Sequence, residues 1–311
     1  VVKERLMTAE AIVEIKELTV RYGRLTAVDR LSLDVPRGLV YALLGRNGSG
    51  KSSTVRCLLG QRRASAGSAR LFGLDAWKER SRIMERVGVV PEQPDIPPET
   101  NAEKLARFMV RVAPRWRSRP FFDRLETFGV PRRRRFDKLS KGQQKQMALA
   151  LALASTPDLL VLDDPTLGLD AVARRELFEE LIGDLADHGT TVFLTTHDLA
   201  GVEGIADRVG ILANGSLLVD EDLESLKARF CRLTLASTGE VAPDSIEAGL
   251  RHLGAISSEK VQGAVEAVVE NFSEVGFGRF RDEVPVEVVK IQSLPLEEIF
   301  IVLCGEDGGR R

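Results

Sequence analysis

The sequence predicts an α/β fold in two parts: a layered, largely parallel sheet covered by helices, followed by a smaller α+β unit. Buried apolar runs at VYALLG (40–45) and DLLVLDD (158–164) alternate with helical periodicity through the first 230 residues, the succession that builds such a sheet. A glycine-rich segment joins the first of these runs to a helix, a junction at which backbone N–H groups converge. Beyond about Phe230 the pattern changes to alternating strands, and 311 residues suffice for about two domains that each bury a core.

In chain order, ELTVRYG (17–23) and LSLDVPRG (31–38) alternate as strands, and VYALLG is a buried strand ending in glycine. A helix follows from Gly50 to Leu59, then a short strand at 69–73, an amphipathic helix at 75–87 and a strand at 87–90. Pro91, Pro94, Pro97 and Pro98 stop that strand in an irregular loop. Residues 100–135 read as wholly helical, broken at Pro114 and between Gly129 and Pro131. A helix from Gly142 to Ser155, the strand at 158–164, a helix at 171–187, a strand at 190–196 and strands near 208–212 and 216–220 complete the larger part. In the C-terminal part, CRLTLAS, AVEAVVEN and VPVEVVKI alternate as strands, with helices near 243–252 and 295–303. No internal repeat and no low-complexity segment is visible.

Gly45-Arg46-Asn47-Gly48-Ser49-Gly50-Lys51-Ser52 fits the pattern G-x-x-x-x-G-K-[ST] at every fixed position, between a buried strand and a helix. Its glycines let successive N–H groups turn inward around a polyphosphate, and the helix that follows aims its positive end at the same anion. Lys51 would reach β- and γ-phosphate oxygens, and the Ser52 hydroxyl would coordinate Mg²⁺. The pattern alone also describes a plain glycine-rich turn, which the flanking strand and helix argue against. Downstream, four apolar residues carry Asp163 to the C-terminal end of a strand, where an open α/β sheet binds ligands. Asp163 is the Mg²⁺-holding carboxylate in this reading, and Asp164 the base or water-positioning group; in isolation the two read as a solvated acidic pair.

Leu139-Ser140-Lys141-Gly142-Gln143 resembles the signature sequence of ATP-binding cassette (ABC) ATPases. The resemblance runs through ordered motifs over residues 12–230 and implies a P-loop NTPase fold of that type. It places a helical subdomain at about 95–155 and a small α+β accessory domain at 231–311. It implies that Tyr22 stacks on adenine and that the phosphate loop, with Ser53 after Ser52, binds ATP. Asp163 and Asp164 match the Walker B pair, Gly168-Leu169-Asp170 the D-loop, and His197 the switch histidine that contacts the γ-phosphate. It also implies a two-fold head-to-tail pair, a homodimer or a heterodimer with a second ABC subunit, in which Ser140, Gly142 and Gln143 complete the site in trans.

Two positions depart from the family pattern. Its usual glutamine after the strand-ending proline appears as Glu92, with Gln93 one position later; either is a candidate γ-phosphate and Mg²⁺ sensor. The glutamate resembles a variant of multidrug- and antibiotic-export cassettes, as the segment SLPLEEIFIVL (293–303) resembles their terminal helix. Asp164 stands where the family usually has glutamate, shortening the reach by one methylene, or about 1.5 Å. The expectation is an ATP-binding and ATP-hydrolysing subunit of an exporter, driving a separate integral-membrane permease from the cytoplasmic face of the membrane. The alternative is a nucleotide-gated regulatory or non-transport ABC ATPase whose hydrolysis Asp164 weakens. One cassette and a short interval between phosphate loop and signature argue against ribosome factors and the coiled-coil DNA-maintenance relatives.

Composition narrows the field from the other side. Forty-four Lys and Arg against 46 Asp and Glu give no bulk attraction to nucleic acid, and no RNA- or DNA-binding module pattern is present, so no nucleic-acid partner is expected. Cys57, Cys231 and Cys304 form no CxxC pair, which points to a reducing compartment, and Cys57 reads as a small buried hydrophobe. Charges in the first ten residues argue against a secretion signal, and the longest apolar run, 147–154, is too short to span a bilayer. Ten arginines between 107 and 135 face only Asp123 and Glu126; a solvated helix face is the default reading, and proximity to anionic headgroups beside a membrane subunit the functional one.

Overall fold

Alternation and burial set the first strands. In a computed structural model that describes residues 11–237, 243–261, 264–284 and 286–305, β1 (Ala11–Tyr22) and β2 (Leu25–Pro36) pair antiparallel around a tight turn. All five residues of β3 (Val40–Leu44) are buried, so it occupies the middle of a sheet, and it leads through the glycine loop into α1 (Lys51–Leu58). β4 (Ala66–Leu71) and the two-residue β5 (Leu74–Asp75) complete a four-stranded antiparallel sheet in the order β2-β1-β4-β5. The charged stretch 1–10 lies outside the described residues.

The expected helix at 75–87 shrinks to α2 (Arg80–Met84). Asp75 accepts hydrogen bonds from the N–H groups of Trp77 and Lys78 at 3.0 and 2.9 Å, and Glu79 accepts one from Asp75 N–H at 3.2 Å. These local side-chain bonds hold a turn where helical periodicity alone suggested a first helical turn. β6 (Val87–Val90) then delivers the chain to the proline-rich loop.

The helical region begins at α3 (Ala102–Val112), capped by Asn101, and continues in α4 (Ser118–Thr127), a 3-10 turn at Phe136–Lys138 and α5 (Lys141–Leu153). It has its own core, in which Trp116, Phe121 and Phe136 pack with Leu125, Leu139 and Met147. The Trp116 indole N–H, otherwise stranded in that core, donates to the Leu151 carbonyl at 3.0 Å.

β7 (Leu159–Asp163), α6 (Ala171–His188), β8 (Thr191–Thr196), the short α7 (Leu199–Glu203), β9 (Arg208–Ala213) and β10 (Ser216–Asp222) close the larger unit. Its second sheet has the order β10-β9-β3-β8-β7-β6, parallel from β9 to β6. β9 and β10 are joined by Asn214-Gly215, both at positive φ (50° and 82°), the two-residue turn whose twist suits a hairpin. The register pairs Asp163 with Thr195 and Leu44 with Thr196, so the glycine loop, the acidic pair and His197 all leave the sheet at one end.

The chain divides into compact units at Asp220/Glu221, so α8 (Leu223–Arg229) groups with the second unit rather than ahead of the expected boundary at 231. The second unit runs β11 (Phe230–Ser237), α9 (Pro243–His252), β12 (Ala255–Val261), β13 (Ala264–Glu270), α10 (Glu274–Glu283), β14 (Val286–Ser293) and α11 (Leu296–Cys304). Its antiparallel order β12-β13-β11-β14 makes the six elements from β11 to β14 a split β-α-β arrangement of the ferredoxin-like kind. Leu233, Leu235, Val269, Leu250 and Phe280 form its core.

Candidate functional site

The glycine loop adopts a conformation that only glycine enters freely. Gly48 and Gly50 have φ of 83° and 110°, and a Cβ on Gly50 would run into the Ala27 carbonyl oxygen. The loop therefore closes on itself and brings Lys51 back: its Nζ donates to the carbonyls of Gly45 at 2.6 Å and Arg46 at 3.2 Å. Burial lowers the Lys51 pKa, and the nearby Asp164 and Asp163 charges oppose that shift. An ammonium parked on two neutral carbonyls, with acids close by, is poised to exchange them for a polyanion.

Asp163 ends β7 beside the loop. Its Oδ1 accepts from Thr195 Oγ1 at 2.6 Å and from Ser52 Oγ at 3.2 Å. The donor set is all oxygen, one carboxylate and one hydroxyl, and no cluster of three or more His, Cys, Asp or Glu suited to a metal occurs among the described residues. Such a half-built site fits Mg²⁺, which takes few protein ligands and fills its octahedron with water and substrate phosphate oxygens.

Asp164 turns out of the strand at φ 50°, a left-handed conformation that aspartate tolerates better than most residues. Its carboxylate accepts from Thr196 Oγ1 at 3.3 Å and pairs with His197 Nδ1 at 3.0 Å. An ionised carboxylate only accepts, so the bond is donated from His197 Nδ1–H, which leaves Nε2 outside it.

Lys51, Ser52, Asp164 and His197 border one cleft of about 490 Å³, lined also by Tyr22, residues 47–50, Ser53, Glu92 and Leu167 among others, while Gly45, Arg46 and Asp163 do not line it. Of the two sensor candidates, Glu92 lines the cleft and is half-buried, while Gln93 is exposed and does not line it. Tyr22 stands at the rim, its hydroxyl 3.3 Å from Ser53 Oγ and its ring 3.7 Å beneath the Arg62 guanidinium. The Ser53 hydrogen bond is the main cause that lowers the Tyr22 pKa, helped by Arg56 and Arg62 and opposed by burial.

Ser140, Gly142 and Gln143 do not line this cleft. They form the start of α5, where Ser140 Oγ accepts the Gln143 N–H at 3.1 Å and Gln143 Oε1 accepts the Ser140 N–H at 3.2 Å, a reciprocal cap.

Three side chains at the site were not among those singled out from the sequence. Thr195 and Thr196, at the end of β8, orient the two aspartates. Their signal was the register of two buried strands, which a lone sequence does not print. Lys145 is the third: buried on α5, it donates from Nζ to the Asp164 carbonyl at 2.8 Å. The helix expected from Gly142 to Ser155 contains it, but the acceptor that lets a lysine sit buried there comes from 19 residues downstream.

Residues 28–167 match the sequence profile of the ABC transporter family. The chain is 33% identical over 221 residues to the bacitracin transport ATP-binding protein BcrA of Bacillus licheniformis, covering 70% of this chain and 72% of that protein. It is 34% identical over 222 residues to the daunorubicin/doxorubicin resistance ATP-binding protein DrrA of Streptomyces peucetius, covering 70% and 67% respectively. A solved structure of the ATP-binding subunit of an ABC transporter superposes with a TM-score of 0.63 at 25% identity, over 70% of this chain and 92% of that one.

Proposed function

The chain belongs to the ABC transporter ATP-binding family, and from that premise we propose that it is the ATPase subunit of an exporter, coupling ATP binding and hydrolysis to a separate integral-membrane permease. The convergence of Lys51, Ser52, Asp163, Asp164 and His197 at one end of the parallel sheet carries the proposal. The export direction is supported by relatives named for bacitracin transport and for daunorubicin/doxorubicin resistance.

ATP enters with its base on Tyr22 and its phosphates in the glycine loop, where Lys51 exchanges the Gly45 and Arg46 carbonyls for β- and γ-phosphate oxygens. Ser52 and Asp163 would hold Mg²⁺, which would supply charge neutralisation to the transferring phosphoryl group. Asp164 orients the attacking water, and His197, held by Asp164 through Nδ1–H, donates from Nε2–H to a γ-phosphate oxygen, a contact that takes the imidazolium form of the ring. Little covalent chemistry is asked of the protein; positioning and electrostatic stabilisation do the work. Ser140, Gly142 and Gln143 complete the partner's site in a head-to-tail dimer.

No helix among the described residues is long and apolar enough to cross a membrane, which accords with peripheral attachment at the cytoplasmic face through the permease. A second, more apolar cleft of about 590 Å³ offers the attachment point, lined by Val87 and Val89 of β6 and by Met109, Val112 and Trp116 of the helical region. β6 continues within two residues into Glu92, so a permease segment in that cleft lies one strand end away from the nucleotide.

Steady-state ATPase measurement tests the proposal: Lys51→Ala should abolish turnover, by about a hundredfold or more. The alternative, a nucleotide-gated regulatory or non-transport ABC ATPase, is favoured by one observation, the short Asp164 carboxylate. Tight ATP binding without turnover, even with the permease present, would establish it and sink the motor.

A further inference from the structure

Lys145 is the least expected residue of the site. A lysine 5% exposed gives up most of its hydration, and burial accordingly lowers its pKa, against the favourable charges of Asp164, Glu92 and Asp163. A leucine or methionine would fill the same space on α5 at no such cost, so the ammonium must serve something besides packing. Its hydrogen-bond partner identifies what that is. The Asp164 backbone is held at φ 50° by three bonds: its N–H donates to the Thr195 carbonyl at 2.9 Å, and its carbonyl accepts from Lys145 Nζ at 2.8 Å and from Leu167 N–H at 3.3 Å. A non-glycine residue at that φ is strained and persists only when its surroundings over-determine it.

We propose that Lys145 is a positioning residue for ATP hydrolysis: its ammonium, carried by the signature helix, fixes the left-handed turn at Asp164 and so sets where that short carboxylate stands. The inference rests on the reading of Asp164 as the group that orients the attacking water. It deepens that reading in one respect. Ser140 and Lys145 lie on the same rigid helix, one at its N-cap and the other little more than a turn along. The end of α5 that completes the opposite site in the dimer is therefore tied, through Lys145, to the hydrolytic carboxylate of its own chain. Engagement of Ser140 by the partner's nucleotide moves the helix that grips Asp164, which links the two sites through two hydrogen bonds and one helical turn.

Lys145→Met, which keeps the length and apolar stem and removes the ammonium, tests this in the full chain. Its kcat should fall about 10- to 100-fold, the cost of displacing a reacting group by an ångström or so, while KM for ATP and the affinity for a fluorescent ATP analogue stay within about twofold. Lys145→Arg, which can still donate to the Asp164 carbonyl, should recover most of the lost kcat. Thermal unfolding of each variant separates folding from positioning. Wild-type kcat in Lys145→Met overturns the proposal, as does parallel loss of kcat, nucleotide affinity and thermal stability with no recovery in the arginine variant. If Lys51→Ala retains turnover, the assignment of the nucleotide site falls, and this inference with it; if Lys51→Ala is inactive and Lys145→Met is not, the inference alone fails.

Discussion

Asp164 is held from several sides at once, by Thr196 and His197 on its carboxylate and by Lys145, Leu167 and Thr195 on its backbone. Asp164 lines the nucleotide cleft, and its carboxylate is engaged by Thr196 and His197 rather than standing free in it. If hydrolysis is limited by the reach of this carboxylate, Asp164→Glu should raise kcat, by up to about a hundredfold, with the affinity for ATP unchanged. A fall in kcat would show instead that the turn fixed by Lys145 is already matched to aspartate. The motif residues around Asp164 were legible because the role proposed for each depends on its own residue type: glycine for φ near 100°, lysine and serine for the proposed phosphate and metal contacts, aspartate for the strand end. Lys145, Thr195 and Thr196 were not legible, because their roles depend on which backbone or carboxylate oxygen a distant strand places beside them. Cys57 shows the same contrast from the side of packing: its apolar helical context marked it as a buried hydrophobe, and burial does push its thiol up to about 11.

At the scale of elements, two helices with similar caps are expected to respond differently to the same change. Asn101 Oδ1 accepts the Lys104 N–H at 2.9 Å at the start of α3, and Ser140 does the same for Gln143 at the start of α5. Replacing either by alanine should cost about 1 kcal/mol of stability, read by denaturant unfolding. Only Ser140→Ala should also lower ATPase activity at saturating ATP, on the order of tenfold, because its hydroxyl is then missing from a charged phosphate. Equal activity in both variants would remove Ser140 from the catalytic pair. Long, periodic elements such as α3, α5, β3 and β7 were readable because one face of each is buried throughout. Those misread or missed lack that regularity. The Asp75 turn displaced the first part of the expected 75–87 helix; β12 carries SSEKV, which is exposed along its length; and α10 contains Gly276 and Gly278, whose helix propensity is poor. Without β12 and α10 the ferredoxin-like order of the second unit could not be assembled from the sequence.

Across the whole molecule, the arginine-rich segment changes meaning once folded. Arg115 pairs with Asp158, Arg124 with Glu180, Arg133 with Glu103 and Arg135 with Asp137, while Arg132 pairs with Glu126 and stacks on Phe122. Acids from elsewhere in the chain neutralise much of what looked like a basic block, which favours the solvated, paired face over a general attraction to headgroups. What remains unfinished in one chain is the nucleotide site itself. The cleft holds the phosphate loop, Asp164 and His197, whereas Ser140, Gly142 and Gln143 project from the start of α5 and take no part in lining it. In the proposed head-to-tail pair, two copies related by a two-fold axis would satisfy both halves at once, the loop of each meeting the α5 start of the other with ATP as the bridging ligand. An ATP-loaded chain that cannot hydrolyse should therefore dimerise. Asp164→Asn, with Mg²⁺ and ATP, is expected to sediment as a dimer and to revert to monomer with ADP. Adding Ser140→Arg should prevent dimerisation while leaving the affinity of the single chain for ATP within about twofold, because a bulky cation then stands at the contact and not in the cleft. A chain that stays monomeric with ATP alone but pairs when a second ABC subunit is supplied would make the assembly a heterodimer; one that pairs with neither would remove the trans site, and with it the role assigned to the signature helix.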